Sequence, residues 1–126
     1  MLAECTFEYA KDADVRVAVI PLGATKPHNL HLPYGTDVYE ATVIGERICQ
    51  QAFQQGATVT LLSAVPFGVQ TNTRKLPLAI NVNPAITVGY GRTCQPADRF
   101  LLAAVGVPLL LFGYHWCNTK GFGQFQ

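Results

Sequence analysis

The sequence predicts an α/β fold with a mostly parallel sheet. Two short runs rich in β-branched residues, residues 15–20 (VRVAVI) and 58–65 (TVTLLSAV), have the length and composition of buried strands. Between them, apolar residues recur at three- and four-residue steps over residues 38–52, which is the period of an amphipathic helix. The order strand, helix, strand is that of a βαβ unit, in which we expect parallel strands and a right-handed crossover.

Turn residues predict where the elements of this unit end. Pro21 and Gly23 follow the first strand, and Pro66 and Gly68 follow the second. Gly56 comes directly after the periodic segment, where a glycine commonly closes a helix at its C-terminus. We therefore expect two strands joined by one long helix.

The second half of the chain predicts weaker elements. Residues 78–82 alternate between apolar and small or polar side chains, which indicates a short strand before an Asn-Pro helix start. The two glycines and the proline that follow would destabilise a long helix by about 1 and about 3 kcal/mol each, so we confine the helix to residues 97–104. Residues 107–112 (VPLLLF) predict a last strand, and residues 113–126 a loop.

Length and composition favour one soluble domain over residues 1–126. The net charge of +1 comes from scattered lysines and arginines, which argues against nucleic acid and anionic membranes as partners. The sequence shows neither an apolar run of about 20 residues nor an N-terminal basic segment followed by an apolar one, so we expect a cytoplasmic protein. The four cysteines are widely spaced, without a CxxC pair, and we interpret them as free thiols.

Candidate metal ligands follow two of the predicted strands. The segment IPLGATKPHNLHLPYGTD contains His28, His31 and Asp37, and His115 follows the last strand. Because ligands of parallel α/β sheets bind beyond the carboxyl ends of the strands, these residues are placed to meet there. Imidazole and carboxylate suit Zn²⁺ or Mn²⁺.

Simpler interpretations of the same residues remain open. Asp37 is placed to cap the helix, with Glu40 completing a capping box. A single histidine in a loop is more often a surface or hydrogen-bonded residue than a ligand. His31 is more suited to orienting the loop or a neighbouring ligand by a hydrogen bond than to binding metal.

The same segment resembles the first motif of the creatininase (creatinine amidohydrolase) family. Members typically read Gly, a small residue, any residue, Glu-Gln-His-Gly-Pro-His-Leu-Pro, an apolar residue and Gly-Thr-Asp. The histidines at 28 and 31, the Leu-Pro that follows and the Gly-Thr-Asp ending at Asp37 match with the spacing preserved. Two later stretches, VPFGVQTNTRKLPLAINVNP and LLLFGYHWCN, are similar to the family's second and third motifs. The similarity extends from residue 17 to residue 118.

The resemblance implies a three-layer α/β/α fold with up to two divalent ions, and a metal-dependent hydrolase acting on an amide-type C–N bond, other than a peptide bond, in a small cyclic or formylated compound. By the resemblance, His28 is a ligand of one ion, Asp37 bridges both, and His115 is a ligand of the other. The nucleophile would be a metal-bound water. A small-molecule substrate is the implied partner.

Three departures from the family pattern qualify this expectation. The family's first glutamate ligand is Lys26 here, and an ammonium repels a cation. In the third motif bulkier residues replace glycines, and Cys117 stands where creatininase has a glutamate ligand. We also expect the chain to correspond to the N-terminal portion of the family fold, without its C-terminal half.

Two hypotheses of function follow. The first is a metal-dependent amidohydrolase with His28, Asp37 and His115 as ligands, and the second is a shortened, non-catalytic relative that serves as a binding or assembly subunit. Lys26 is the residue that separates them. An apolar chain with an unfinished sheet should also bury surface against another copy, so we expect a homo-oligomer.

Overall fold

The computed structural model of the chain describes residues 1–86, 101–106 and 112–114, the last two ranges as backbone. A 3-10 turn and a short helix come first, and a long helix separates the first two strands of the sheet. In chain order the elements are the turn Leu2–Glu4, α1 Phe7–Asp12, β1 Val17–Leu22, α2 Thr36–Gln54, β2 Val59–Leu61, β3 Leu101–Gly106 and β4 Phe112–Tyr114.

The four strands form one mixed sheet in the order β2-β1-β3-β4. Strand β1 is parallel to both β2 and β3, whereas β4 runs antiparallel to β3. Helix α2 connects β1 to β2 and packs against both strands. The predicted βαβ unit with parallel strands is therefore confirmed, and the connection from β1 to α2 lies at the carboxyl end of β1.

The described core lies between α2 and the sheet. Val19 and Leu61 form its buried centre, and Ala41 of α2 is fully buried beside them. Gly45 allows the helix to approach closely, because a Cβ atom there would lie 2.9 Å from Leu61 Cδ1. The glycine thus lets the middle of α2 lie directly against β2.

Strand β1 runs two residues further than the sequence indicates. It passes through Pro21, which is almost completely buried, although a proline cannot donate to a ladder. The Pro21 carbonyl accepts from Val65 N at 2.9 Å, beyond the point where β2 ends at Leu61. The proline is tolerated because regular pairing with β2 has already ended at this point of β1.

Both ends of α2 have clear causes. The N-cap residue is Gly35, with no side-chain cap, so the alternative that Asp37 caps this helix is wrong. At the other end Gly56 has φ +87°, and its N–H donates to Phe53 O while Ala57 N–H donates to Ala52 O. These two bonds form a Schellman motif, which confirms the predicted closing role of Gly56.

The structure corrects three predictions in the second half. Residues 78–82 form no strand, because Leu78 adopts φ +56°, a left-handed conformation that interrupts an extended chain. The predicted helix over residues 97–104 is wrong over its described part, where β3 begins at Leu101 and pairs in parallel with β1. Pairing along the whole of β1 overrides the helix preference of the Leu and Ala residues there.

The end of the chain is described only in part. Of the predicted strand over residues 107–112 only Phe112 is described, and it begins β4. Gly113 and Tyr114 continue this strand where we expected a loop. Residues 84–86 are helical and Asn83 Oδ1 accepts from Ala85 N at 2.9 Å, so the Asn-Pro pair does start a helix, and confining the helix to residues 97–104 was wrong at this point. None of the described helices is long and apolar enough to cross a membrane.

Candidate functional site

The connection from β1 to α2 is fixed by hydrogen bonds to the chain that follows β2. Gly23 N–H donates to Val65 O at 3.1 Å, and both N–H and Oγ1–H of Thr25 donate to Pro66 O. Within the connection, Lys26 N–H donates to Tyr34 O at 3.1 Å and closes the loop. The loop therefore has a defined shape, although it contains no helix or strand.

Gly23 is the point of closest approach between this loop and α2. A Cβ atom at this position would lie 2.5 Å from both the N and the Cα of Val38. These are backbone atoms of the first helical turn and cannot move aside as a flexible side chain can. The glycine thus allows the first turn of α2, which carries Asp37, to lie directly against the end of β1.

Three side chains meet at this point. Asp37 lies in the first turn of α2 and is only 4% exposed. Its Oδ1 is 2.6 Å from His28 Nε2, and its Oδ2 is 2.8 Å from Lys26 Nζ. Each carboxylate oxygen thus faces a different nitrogen of the same loop.

The charge state of Asp37 follows from these neighbours. Burial by itself raises the pKa of this carboxyl group, because it disfavours the charged form. The contacts with Lys26 and then with His28 act in the opposite direction and outweigh burial, so the pKa lies below its ordinary value. Asp37 is therefore a carboxylate at neutral pH.

His28 is oriented by the main chain of Lys26. Its Nδ1 lies 2.8 Å from the Lys26 carbonyl oxygen, which can only accept, so the hydrogen-bond network assigns a proton to Nδ1. In the neutral ring the lone pair is then on Nε2, which faces the Asp37 carboxylate. Two acceptors cannot face each other at 2.6 Å, so the contact between Nε2 and Oδ1 contains a proton, and a metal ion would have to replace that proton and move the two atoms apart.

The donor chemistry of His28 and Asp37 fits a divalent ion. Imidazole with its other nitrogen bonded to a carbonyl is a common arrangement of metal-bound histidine. Two ligands are fewer than the three or four of a protein zinc site, and residues 1–86 contain no cluster of three His, Cys, Asp or Glu side chains that could hold a metal. The described residues thus offer two side chains whose chemistry suits a divalent ion, while the Lys26 ammonium lies against the other oxygen of Asp37.

The other predicted residues do not join this cluster within the described chain. His31 is exposed and makes no side-chain hydrogen bond to the residues described. His115 and Cys117 lie outside the described residues, and so does Cys94, whereas Cys5 and Cys49 are free thiols. The ligand role of His115 therefore stays a prediction.

Gln70 is a supporting residue that the sequence analysis missed. It is 4% exposed, and its Nε2 donates to the carbonyls of Thr25, at 3.2 Å, and Ile80. Its main-chain N–H donates to Asn81 Oδ1 at 2.7 Å. Nothing in the polar run VQTNTRK distinguishes this glutamine from its neighbours, because its role depends on contacts distant in sequence.

Comparison with known proteins agrees with this fold. The family model "Creatininase: Creatinine amidohydrolase" matches residues 3–93, which is most of the chain. The chain therefore belongs to the creatininase family. No curated protein matches it.

One solved structure is also similar to the chain. It is a crystal structure from Bacteroides fragilis described as a "putative creatinine amidohydrolase", with 28% sequence identity and a TM-score of 0.64. The match covers 80% of this chain and 43% of the other, so the chain spans less than half the length of that structure. The predicted family and α/β fold are confirmed.

Proposed function

We propose that the chain is a metal-dependent amidohydrolase that cleaves an amide-type C–N bond in a small cyclic or formylated compound. Family membership supports the reaction class. The observation that carries the proposal is the His28–Asp37 pair, whose facing atoms are 2.6 Å apart at the carboxyl end of β1. An imidazole nitrogen that can exchange its proton for a metal ion, beside a buried carboxylate, is an arrangement suited to holding a cation.

Each described residue has a distinct role in this proposal. His28 and Asp37 would hold one ion, Zn²⁺ or Mn²⁺, and the Lys26 carbonyl, which accepts from Nδ1, orients the His28 ring with Nε2 towards Asp37. Burial at the start of α2 keeps Asp37 away from solvent, while its neighbours keep it ionised. A bound divalent ion would activate water and polarise the scissile carbonyl. His115 is the further ligand that we propose.

The test is hydrolysis with and without metal. The purified protein is stripped with a chelator, dialysed to remove it, reloaded with Zn²⁺ or Mn²⁺, and offered creatinine and a series of small cyclic amides and formylated amines. We expect turnover of at least one compound by the loaded protein only. His28→Ala should abolish it, whereas His31→Ala is the matched control, because that exposed side chain contacts none of the three site residues.

The opposite result has a clear meaning. If neither ion binds and no compound is hydrolysed, the chain is a non-catalytic binding or assembly subunit of the same family. Turnover that is equal in the parent and in His28→Ala would show that the reaction takes place elsewhere.

We also propose that the protein functions as a homo-oligomer. Its charged fraction of 13% is low beside the roughly 25% of typical soluble domains, which leaves fewer charges to keep copies of the chain apart. Multi-angle light scattering at micromolar concentration tests this, and a monomer would overturn it.

A further inference from the structure

Lys26 is attached to the site at three points. Its N–H donates to Tyr34 O, its carbonyl accepts from His28 Nδ1, and its ammonium lies 2.8 Å from Asp37 Oδ2. The first two contacts belong to the main chain and set the loop and the histidine. Only the third depends on the side chain, so a substitution at this position changes the charge beside Asp37 and leaves the orientation of His28 in place.

The two oxygens of Asp37 are in different situations. Oδ1 faces a histidine nitrogen that can exchange a proton for a metal ion. Oδ2 is buried and has the Lys26 ammonium, 2.8 Å away, as its partner among the described residues. A lysine ammonium has no lone pair to offer a metal and repels a cation that approaches the oxygen it neutralises.

The burial of this ion pair makes the repulsion effective. The Asp37 side chain is 6% exposed and that of Lys26 is 25% exposed, so water screens their charges only weakly. Moving the ammonium away would leave the buried Oδ2 without a partner. The ammonium is therefore held in place by the same carboxylate that a second metal ion would need.

We propose that the Lys26 ammonium is a resident cation on the Oδ2 side of Asp37, and that the site would consequently hold one divalent ion per chain, with His28 and Asp37 among its ligands. This inference rests on the proposed function, since it takes His28 and Asp37 as ligands. It adds the number of ions and the residue that limits it.

The test counts bound ions. The parent, Lys26→Glu, Lys26→Gln and His28→Ala are each dialysed to equilibrium against Mn²⁺ or Zn²⁺, and the metal per chain is measured by inductively coupled plasma mass spectrometry. Lys11→Glu is the matched control, because it makes the same charge change at a side chain that is 64% exposed. Circular dichroism of every variant, with and without metal, shows that it is folded.

We expect one ion per chain in the parent and in Lys11→Glu, two in Lys26→Glu, and none in His28→Ala. Lys26→Gln still tests the proposal if Lys26→Glu fails to fold without metal. It removes the positive charge without adding a ligand, so it should keep one ion and bind it at least about tenfold more tightly.

The outcomes separate the two proposals. Two ions in the parent, or an unchanged count in folded Lys26→Glu together with unchanged affinity in Lys26→Gln, overturns the role of Lys26 while the metal function stands. No ion in the parent, or no loss in His28→Ala, overturns the proposed metal site itself and this inference with it.

Discussion

The two connections that follow β1 and β2 leave the same edge of the sheet, but they are stabilised in different ways. The first connection, residues 23–35, brings charged groups together around Asp37 at the start of α2. The second connection, residues 62–83, is organised around Gln70, a neutral side chain that bonds to main-chain carbonyls. A charged cluster can exchange one cation for another, whereas an amide bonded to carbonyls can only hold its neighbours in position.

The second connection therefore supports the first. Gln70 Nε2 reaches the carbonyl of Thr25, one residue before Lys26. Pro66 O accepts both hydrogen bonds from Thr25. The position of the Lys26 ammonium thus depends on residues that carry no charge and lie about 40 positions later in the chain.

The largest effect that we predict is a difference in stability between alanine substitutions of two glycines, one in each connection. Gly23→Ala places a methyl group 2.5 Å from backbone atoms of Val38, so either β1 or α2 must move, and we expect a loss of about 3 kcal/mol. Gly68→Ala is the control, because its methyl group would make an ordinary contact of 3.7 Å with Ala24 Cβ. The free energies of unfolding in urea measure both. Equal values for the two variants would show that the first connection is no tighter than the second.

The next effect tests the support from the second connection. Gln70→Leu keeps the volume but leaves two part-buried carbonyls, those of Thr25 and Ile80, without their donor, and we expect a loss of about 2 kcal/mol. Gln51→Leu makes the same change at an exposed position of α2 and should alter the free energy of unfolding by less than about 0.5 kcal/mol. Similar losses of stability in the two variants would show that Gln70 does not support the first connection.

A third prediction uses pH to distinguish the charged connection from the neutral one. In the folded, metal-free protein the pKa of Asp37 lies below its ordinary value, so its contribution to stability is fully present above that ordinary value, about 3.9. The contribution is lost as the pH falls through the lower, folded-state pKa, because the protonated group no longer attracts Lys26. Asp37→Asn should therefore flatten the acid limb of the stability curve. The curve of Gln70→Leu should instead run parallel to that of the parent, and an unchanged acid limb in Asp37→Asn would contradict the assignment.

The same contrast explains how much of the structure could be predicted from the sequence. Strand β1, helix α2 and its closing Gly56 were predictable because each depends on local periodicity or on a single turn residue. The absence of a strand at residues 78–82 was not, because the left-handed conformation of Leu78 belongs to a loop fixed by distant contacts. Strand β3 was not predictable for a similar reason, because its pairing with β1 outweighs the helix preference of its own residues.

The candidate site was predictable in composition but not in geometry. The spacing of His28 and Asp37 indicated that they belong together, and the structure places them 2.6 Å apart. Lys26 was expected only to repel a metal. Its ion pair with Asp37 requires the loop to fold back through the hydrogen bond from Lys26 N–H to Tyr34 O, and no local pattern in the sequence reports that bond.

The smallest effect concerns the outer contact between the two connections. Tyr34 Oη donates to Pro77 O at 2.9 Å near the surface, where water can replace it, so Tyr34→Phe should cost about 0.5 kcal/mol. Tyr39→Phe is the matched control, because this tyrosine is 63% exposed and its hydroxyl makes no hydrogen bond to the described residues.

Trypsin gives a local measurement of the same contact, since Arg74 and Lys75 are exposed in the second connection, close in sequence to Pro77. If the contact holds this segment against the first connection, cleavage after these residues should be about twofold faster in Tyr34→Phe and unchanged in Tyr39→Phe, because 0.5 kcal/mol corresponds to a factor of about two. Equal cleavage rates in all three proteins would mean that the inner contacts of Pro66 and Gln70 with Thr25 join the two connections, and that the tyrosine hydroxyl contributes nothing to holding the loop that carries Lys26.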